Sequence, residues 1–398
     1  MPRPRIAIDF TALDATSPVS GQYRYAVSLV RGLARLRPDV SFLLLGSKSE
    51  PVPELGGVFQ KYNDRWDYRS VPRRQFRGAA YLDHARYGWV LLRERVSLLH
   101  SLHTFIPLCS PCPVVITVYD LMYELFDDYE EGRRSRPYRI HRWAVGHRAR
   151  RVVCISETTA ADLRNLWGVG EHMLDVIPLG SPFASTGEAA PDVRPETDHT
   201  PDASPVLVSP YNLEPRKNLG ALLEAVALLR SRGEAVKLIL FGRAAVTPER
   251  EERFEREVRE LGLGDYVVRT GILGDAGLAA LYRRATLFVF PSLYEGFGLP
   301  VLEAMAAGAC VVARDASAMS EVLRDTGALV ETGDPRALAS VMATLLDDAS
   351  LRDALGRRAR ARAALFSIER MALLTYRSYL TALDRTAHPS PVQNRASR

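Results

Sequence analysis

The sequence predicts two α/β domains of similar size, each a doubly wound parallel sheet with helices on both faces. Three observations carry this. The chain has 398 residues, enough for two domains at roughly 100–200 residues each. Short apolar runs alternate with stretches whose apolar residues recur three and four apart, first over residues 5–155 and again from residue 205. Strands and helices in that rhythm build parallel sheets buried on both faces. Between the two series, residues 183–204 (FASTGEAAPDVRPETDHTPDAS) are rich in Pro, Ala, Asp, Ser and Thr and show no period, which predicts a flexible linker.

In chain order, residues 5–10 (RIAIDF) read as a strand and 20–36 as a helix with Ser20 as its cap. Residues 41–46 (SFLLLG) read as a second strand, and 47–77 as irregular and polar. A helix follows at 78–95, strands near 96–99 and 113–118, a helix at 133–148, a strand at 151–155 and a capped helix start at Ser156. The second series places strands at 205–209, 236–241, 266–269, 287–290, 310–313 and 328–330. Its helices fall at 218–231, 247–261, 275–284, 300–307, 318–324 and 335–347, with closing helices at 350–363 and 367–384. Residues 385–398 are expected to be a disordered tail.

The composition is that of a globular protein, 47% hydrophobic and 25% charged, with a formal net charge of +5. Residues 1–190 hold 25 Lys/Arg against 20 Asp/Glu, and residues 191–398 hold 27 against 27, so the excess lies wholly in the first half. That modest excess suits an anionic ligand or surface and argues against nucleic acid. The start, MPRPRIAIDF, shows no signal peptide, and no apolar stretch reaches the ~20 residues of a membrane helix. A cytoplasmic protein is expected. The segment 132–151 holds eight arginines, with Tyr138 and Trp143 and no Lys, Asp or Glu. It reads either as a solvated helix face or as a contact with anionic lipid on the inner face of the plasma membrane. Cys109 and Cys112 have CxxC spacing in a Pro-rich turn, which reads as structural and not as a metal half-site.

The strongest chemical signal is FPSLYEGFGLPVLEAMAAG at 290–308. An apolar strand ends at Phe290, a loop holds Glu295, Gly296, Phe297 and Gly298, and Leu299 and Pro300 open a helix that carries Glu303. Such a loop offers backbone N–H groups and a helix dipole to an anionic ligand. Glu295 is placed to reach a sugar, and Glu303 to bind a ribose diol. A second segment, LVSPYNLEPRKNLG at 207–220, sets Arg216 and Lys217 before a helix. A fixed cation there would offset the charge that a leaving diphosphate gains. A third, SPVSGQYRYAVSLVRGL at 17–33, has Gly21 between the first strand and its helix. A fourth comprises HSLHTFIPL at 100–108 and VVITVYDLMYELFDD at 114–128, with His100, His103, Tyr119 and Asp120.

These segments together resemble retaining glycosyltransferase family four, the group 1 glycosyltransferases, in its mannosyltransferase-like branch. Glu295 and Glu303 match the E-x7-E motif, and the resemblance spans roughly residues 5–385. It implies the GT-B fold, two Rossmann-like domains facing across a cleft. The acceptor-binding domain would be 1–182, completed by the helix 367–384, with 183–204 as linker and 205–366 as the nucleotide-sugar domain. The resemblance implies that Glu295 contacts the donor sugar, that Glu303 binds ribose and that Lys217 holds phosphate. Many members have an arginine at the place of Asn212, so Arg216 is a candidate helper. Gly21, Gly296, Phe297, Gly298 and Leu299 complete the implied donor site. The family's His-Asp pair falls on Tyr119-Asp120; Tyr119 can donate to a sugar oxygen but is no base near neutral pH. Asp120 fits a carboxylate that orients the acceptor.

The implied activity is a hexosyltransfer in polysaccharide or lipopolysaccharide assembly, with GDP-mannose as first choice of donor and no metal or other cofactor. The acceptor would be a glycan or a lipid-linked saccharide. A UDP-sugar-dependent glucosyl- or N-acetylglucosaminyltransferase is the alternative. A non-catalytic sugar-nucleotide-binding protein is a second, and a dinucleotide enzyme is disfavoured by the missing Gly-x-Gly-x-x-Gly turn.

Overall fold

The computed structural model describes residues 3–13, 20–71, 79–103, 106–181, 183, 204–243, 247–331 and 333–384. Nearly all of the expected linker 183–204 and the whole expected tail 385–398 lie outside them. The chain divides into two compact units, Met1–Pro178 with Glu369–Arg398, and Leu179–Ile368.

The first unit runs β1 (Arg5–Asp9), α1 (Gly21–Leu36), β2 (Ser41–Gly46), α2 (Pro53–Lys61), β3 (Trp66–Ser70), α3 (Ala79–Arg93), β4 (Leu98–Ser101) and β5 (Val114–Val118). It continues through the short helices α4 (Met122–Leu125) and α5 (Glu130–Arg134) to α6 (Arg136–Arg148), β6 (Ala149–Cys154), α7 (Glu157–Trp167) and β7 (Leu174–Val176). Its strands form one parallel sheet in the order β3-β2-β1-β4-β5-β6-β7. The inner strands are buried on both faces, as the unbroken apolar runs VVITV and FLLL require. Ser20 caps α1 by accepting from the Tyr23 N–H, as its residue type predicts. The region expected to be irregular, 47–77, holds α2 and the edge strand β3 instead. Trp66–Ser70 buries only alternate residues, so its sequence lacks the apolar run that marks the inner strands.

The second unit runs β8 (Val206–Pro210), α8 (Leu219–Ser231), β9 (Lys237–Phe241), α9 (Pro248–Glu260), β10 (Val267–Gly271), α10 (Asp275–Arg284), β11 (Leu287–Phe290), α11 (Leu299–Ala307), β12 (Val311–Arg314), α12 (Ala318–Leu323), β13 (Ala328–Val330), α13 (Pro335–Asp347) and α14 (Ala349–Ala363). Its parallel sheet has the order β10-β9-β8-β11-β12-β13. The last helix, α15 (Ile368–Leu383), packs into the first unit from Glu369 onward. Buried Tyr379 on α15 bonds His100 Nδ1 at 2.7 Å, and His100 Nε2 bonds Thr117 Oγ1 at 2.9 Å. His100 is therefore a core histidine with both nitrogens satisfied.

Each sheet reverses its strand order once, between β1 and β4 and between β8 and β11. At such a switch point the loops leaving the two strands diverge and open a crevice at their carboxyl ends. Those two places hold the chemistry described next.

Candidate active site

In the second unit the loop after β8 carries Arg216 and Lys217, and the loop after β11 carries Ser292 and Glu295. Backbone bonding locks the loops together: Leu293 N donates to Arg216 O at 2.7 Å, and Ser292 Oγ donates to the same carbonyl at 3.1 Å. Lys217 Nζ lies 2.5 Å from Glu295 Oε1, Ser292 Oγ donates to that oxygen at 2.7 Å, and Arg216 reaches Oε2 at 3.4 Å. Burial by itself would push the Glu295 carboxyl up. The Lys217 and Arg216 charges, with hydrogen bonds from Lys217 and Ser292, outweigh it and hold the group below the usual carboxylate range. Arg216 also pairs with Glu214 at 2.7 Å. Asn212 supplies no charge; its Oδ1 accepts from Glu214 N at 2.9 Å and shapes the turn.

A third loop fixes Glu295 from its backbone. Ser317, between β12 and α12, has φ 51° and ψ −140°, a costly conformation for a residue with a side chain. Its Oγ accepts from the Glu295 N–H at 2.9 Å, and Ala318 N donates back to Glu295 O at 3.4 Å. Neither residue was singled out from the sequence. The signal they leave is backbone strain, which has no pattern in a sequence.

The helix side of the motif is equally defined. Gly298 caps α11 at φ 92°, a conformation that demands glycine, and a Cβ there would also lie 2.2 Å from Met319 Cε and force that side chain to move. No side chain caps α11; Pro300 has no N–H, and Val301 N and Leu302 N donate to Gly298 O at 3.0 and 3.1 Å, so the Leu299 N–H is the first-turn donor the helix can turn to a ligand. Gly296 is buried, Leu299 is half-buried as the first residue of α11, and Phe297 is buried against Phe366 at 5.9 Å. Phe297 thus supports the loop through packing. Glu303 is only 2% exposed, and its Oε2 accepts from the Tyr282 hydroxyl at 3.0 Å. The eight-residue spacing brings both carboxylates into one unit, one on the loop and one inside the helix.

In the first unit the switch point assembles a different group. Asp9 ends β1 fully buried and accepts from Thr11 N at 3.0 Å, Thr11 Oγ1 at 2.8 Å and Tyr87 Oη at 3.3 Å. Its Oδ2 lies 2.9 Å from His103 Nε2, just past β4. Burial opposes its charge, but His103 and the Thr11 bonds keep its pKa lowered. Asp9 was missed from the sequence, although an acid closing an otherwise apolar first strand is a legible signal. His103, Tyr119 and Asp120 line one cavity of about 760 Å³. The Tyr119 hydroxyl is committed to Leu102 O at 2.7 Å, and burial pushes its pKa well above the ordinary phenol. Asp120 Oδ1 accepts from Met122 N at 3.2 Å. Gly21 is exposed as the first residue of α1. Among the described residues no three His, Cys, Asp or Glu side chains are grouped to hold a metal ion, and all four cysteines are free.

Two family models divide the chain between them. Glycosyl transferases group 1 matches residues 195–362, and Glycosyltransferase Family 4 matches residues 19–181. Each half of the chain thus matches a glycosyltransferase model, and the fold is the two-domain GT-B type. The chain is 31% identical over 279 residues to the serotype-specific mannosyltransferase WbdA of Escherichia coli, a match covering 69% of the chain and 34% of WbdA. The chain thus spans about a third of that relative's length. It is 29% identical to D-inositol 3-phosphate glycosyltransferase of Pseudarthrobacter chlorophenolicus, over 85% of the chain and 79% of that protein. These two relatives catalyse different transfers by name at nearly equal identity, so they single out no branch. The fold is that of Anabaena HepE solved with UDP and glucose, with a TM-score of 0.75 at 17% identity, covering 95% of the chain and 100% of HepE.

The expected donor requires correction. HepE is solved with UDP and with UDP-glucose, and a further neighbour, TarM of S. aureus, with UDP; none of these holds GDP-mannose. GDP-mannose is therefore overturned as the first choice of donor, in favour of the UDP-sugar alternative. The physical reason the sequence misled is local: the motifs that match hold sugar, ribose and phosphate, which are common to both donors, and none of them reads the base.

Proposed function

We propose that the chain transfers a glucosyl or N-acetylglucosaminyl group from a UDP-sugar to a saccharide acceptor, free or lipid-linked, with retention at the anomeric carbon. The observation that carries this is the Lys217–Glu295 pair at the switch point of the second unit, beside the uncapped start of α11. In this reading the diphosphate takes Lys217 and the Leu299 N–H that opens α11. Glu295, released from Lys217, turns its charge to the sugar, where positive charge develops as the glycosidic bond breaks. Glu303 binds the ribose. The leaving diphosphate accepts the acceptor's proton, so Glu295 need not act as a base. The first unit binds the acceptor, with Asp120 orienting its hydroxyl.

The test is a thermal-stabilisation and acceptor-free hydrolysis screen over UDP-glucose, UDP-N-acetylglucosamine and GDP-mannose. Stabilisation and slow hydrolysis with a UDP-sugar are expected. Stabilisation without turnover, even with acceptors supplied, would establish a binding protein; a response to GDP-mannose alone would overturn the donor. The anomeric coupling constant of the product, read by NMR, tests retention.

We also propose that the protein works on the cytoplasmic side of a membrane and touches it through α6. Of the eight arginines in 132–151, Arg133, Arg134, Arg142, Arg148, Arg150 and Arg151 are engaged by carboxylates or carbonyls of the first unit. Arg136, Arg139, Ile140 and Trp143 remain at helical spacing, with Ile140 39% and Trp143 49% exposed. Co-sedimentation with vesicles should require anionic lipid and weaken as salt is raised. Equal binding to neutral vesicles, or none to either, would remove the proposal. Among the described residues no helix is long and apolar enough to cross a membrane.

A further inference from the structure

The cavity of the first unit is lined by a histidine whose ring nitrogens no described residue hydrogen-bonds. Residues following β1, β4 and β5 and the inner face of α6 line it. Two of its aromatic side chains have their polar atoms taken: Trp167 Nε1 donates to Glu124 at 2.9 Å, and Tyr138 Oη donates to the same oxygen at 3.2 Å. They offer the cavity fixed carbon surface. His141, on α6, stands edge-on to Trp167 at 5.7 Å and 82°. It is 8% exposed; its Nδ1 is fully buried without a partner, and among the described residues no hydrogen bond engages Nε2 either, which leaves Nε2 as the nitrogen a ligand can reach. Burial, and then the neighbouring His103, hold its pKa down to about 4. A neutral imidazole has one donor and one acceptor, the complement of a hydroxyl group.

An unpaired buried polar group weakens a fold. A cavity that keeps one beside aromatic walls matches a ligand that brings a hydroxyl on a ring with an apolar face. The lining holds no excess of cations to draw an anion: Arg136 and Asp120 both line the cavity, and the ionised Asp9 stands behind His103. We propose that His141 recognises an uncharged pyranose ring bound in this cavity, its hydroxyl paired with the imidazole Nε2 and its carbon face on Tyr138 and Trp167. The role of that ring as acceptor rests on the glycosyltransfer reading above; its binding does not.

The experiment uses the full chain without donor, titrated with a panel of methyl hexopyranosides and, separately, with inorganic phosphate. At least one methyl pyranoside should bind saturably and phosphate should not. His141→Phe keeps the ring and deletes both nitrogens. It should weaken pyranoside binding roughly 10-fold or more, the scale of one lost buried hydrogen bond. It should also raise the melting temperature of the sugar-free protein by roughly 2–4 °C. His141→Asn should bind better than His141→Phe, because the amide restores a donor and an acceptor. Wild-type affinity in His141→Phe, a lowered melting temperature with no loss of binding, or binding of phosphate in place of every pyranoside would overturn the proposal. Stabilisation by UDP is read in parallel. If UDP stabilises neither protein while pyranoside binding still depends on His141, the transferase reading fails and this one stands.

Discussion

Replacing Glu295 by Gln is expected to lower kcat by roughly 10²–10³-fold, the scale of losing one preorganised electrostatic contact to the transition state. The geometry explains why so small a change should matter. The carboxylate is 9% exposed and held on every side, by Lys217, Arg216 and Ser292 at its oxygens and by Ser317 at its backbone. A contact near the reacting carbon strengthens as positive charge develops there, so its loss falls on kcat. Glu303→Gln should behave differently. A ribose contact is nearly equal in ground and transition states, so its loss should raise KM for the sugar nucleotide, by roughly 10–100-fold, with kcat little changed. The Tyr282 hydroxyl that now donates to Glu303 Oε2 can donate as well to the Gln oxygen, which preserves the local fold. Steady-state kinetics of both variants against one donor decide the matter. A kcat lost in Glu303→Gln and kept in Glu295→Gln would reverse the two roles.

Lys217→Ala is expected to cut kcat/KM by roughly 10²–10³-fold through the missing phosphate contact. A second consequence follows from the pair. Removing the ammonium 2.5 Å from a buried carboxylate leaves Glu295 with Arg216 at 3.4 Å and Ser292. Breaking a buried pair costs about 3–5 kcal/mol when nothing compensates. With two partners remaining, the expected loss lies at or below the low end of that range. The pH dependence has a definite sign. In the wild type the Glu295 pKa is lowered, so its contribution is present above the unfolded carboxylate pKa and is lost as pH falls through the folded value. In the variant, burial dominates and the folded pKa rises. The stability deficit should then be largest near neutral pH and shrink as the medium is acidified. Denaturant unfolding of both proteins across the acid range measures this; a deficit that widens towards acid would show that Lys217 does not hold the carboxylate ionised. Unchanged activity and donor affinity would exclude a phosphate role.

The sequence by itself determined the elements and the local motif. The inner strands are unbroken apolar runs, and the amphipathic helices carry apolar residues three and four apart, so both were legible with ends displaced by a few residues at most. What escaped was β3 and β7, with α2 and the four-residue α4. Trp66–Ser70 alternates exposure, Leu174–Val176 is three residues long, and Pro53–Lys61 contains two glycines that dilute its helical signal. Glu295, Gly298 and Glu303 were legible because their relation is local: strand end, loop and first helical turns lie within one short segment. Tertiary structure alone decided which distant groups meet. Lys217 and Glu295 are 78 residues apart and Asp9 and His103 are 94 apart. Each pair meets because its two strands are neighbours where the sheet reverses order, and no local pattern states which strands will be neighbours. Tertiary packing likewise committed the Tyr119 hydroxyl to Leu102 and left His141 Nδ1 with no hydrogen-bond partner among the described residues. Propensity and periodicity act over a few residues along the chain, whereas the pairing of buried polar groups is settled by the space that remains once the sheets and helices have closed around them.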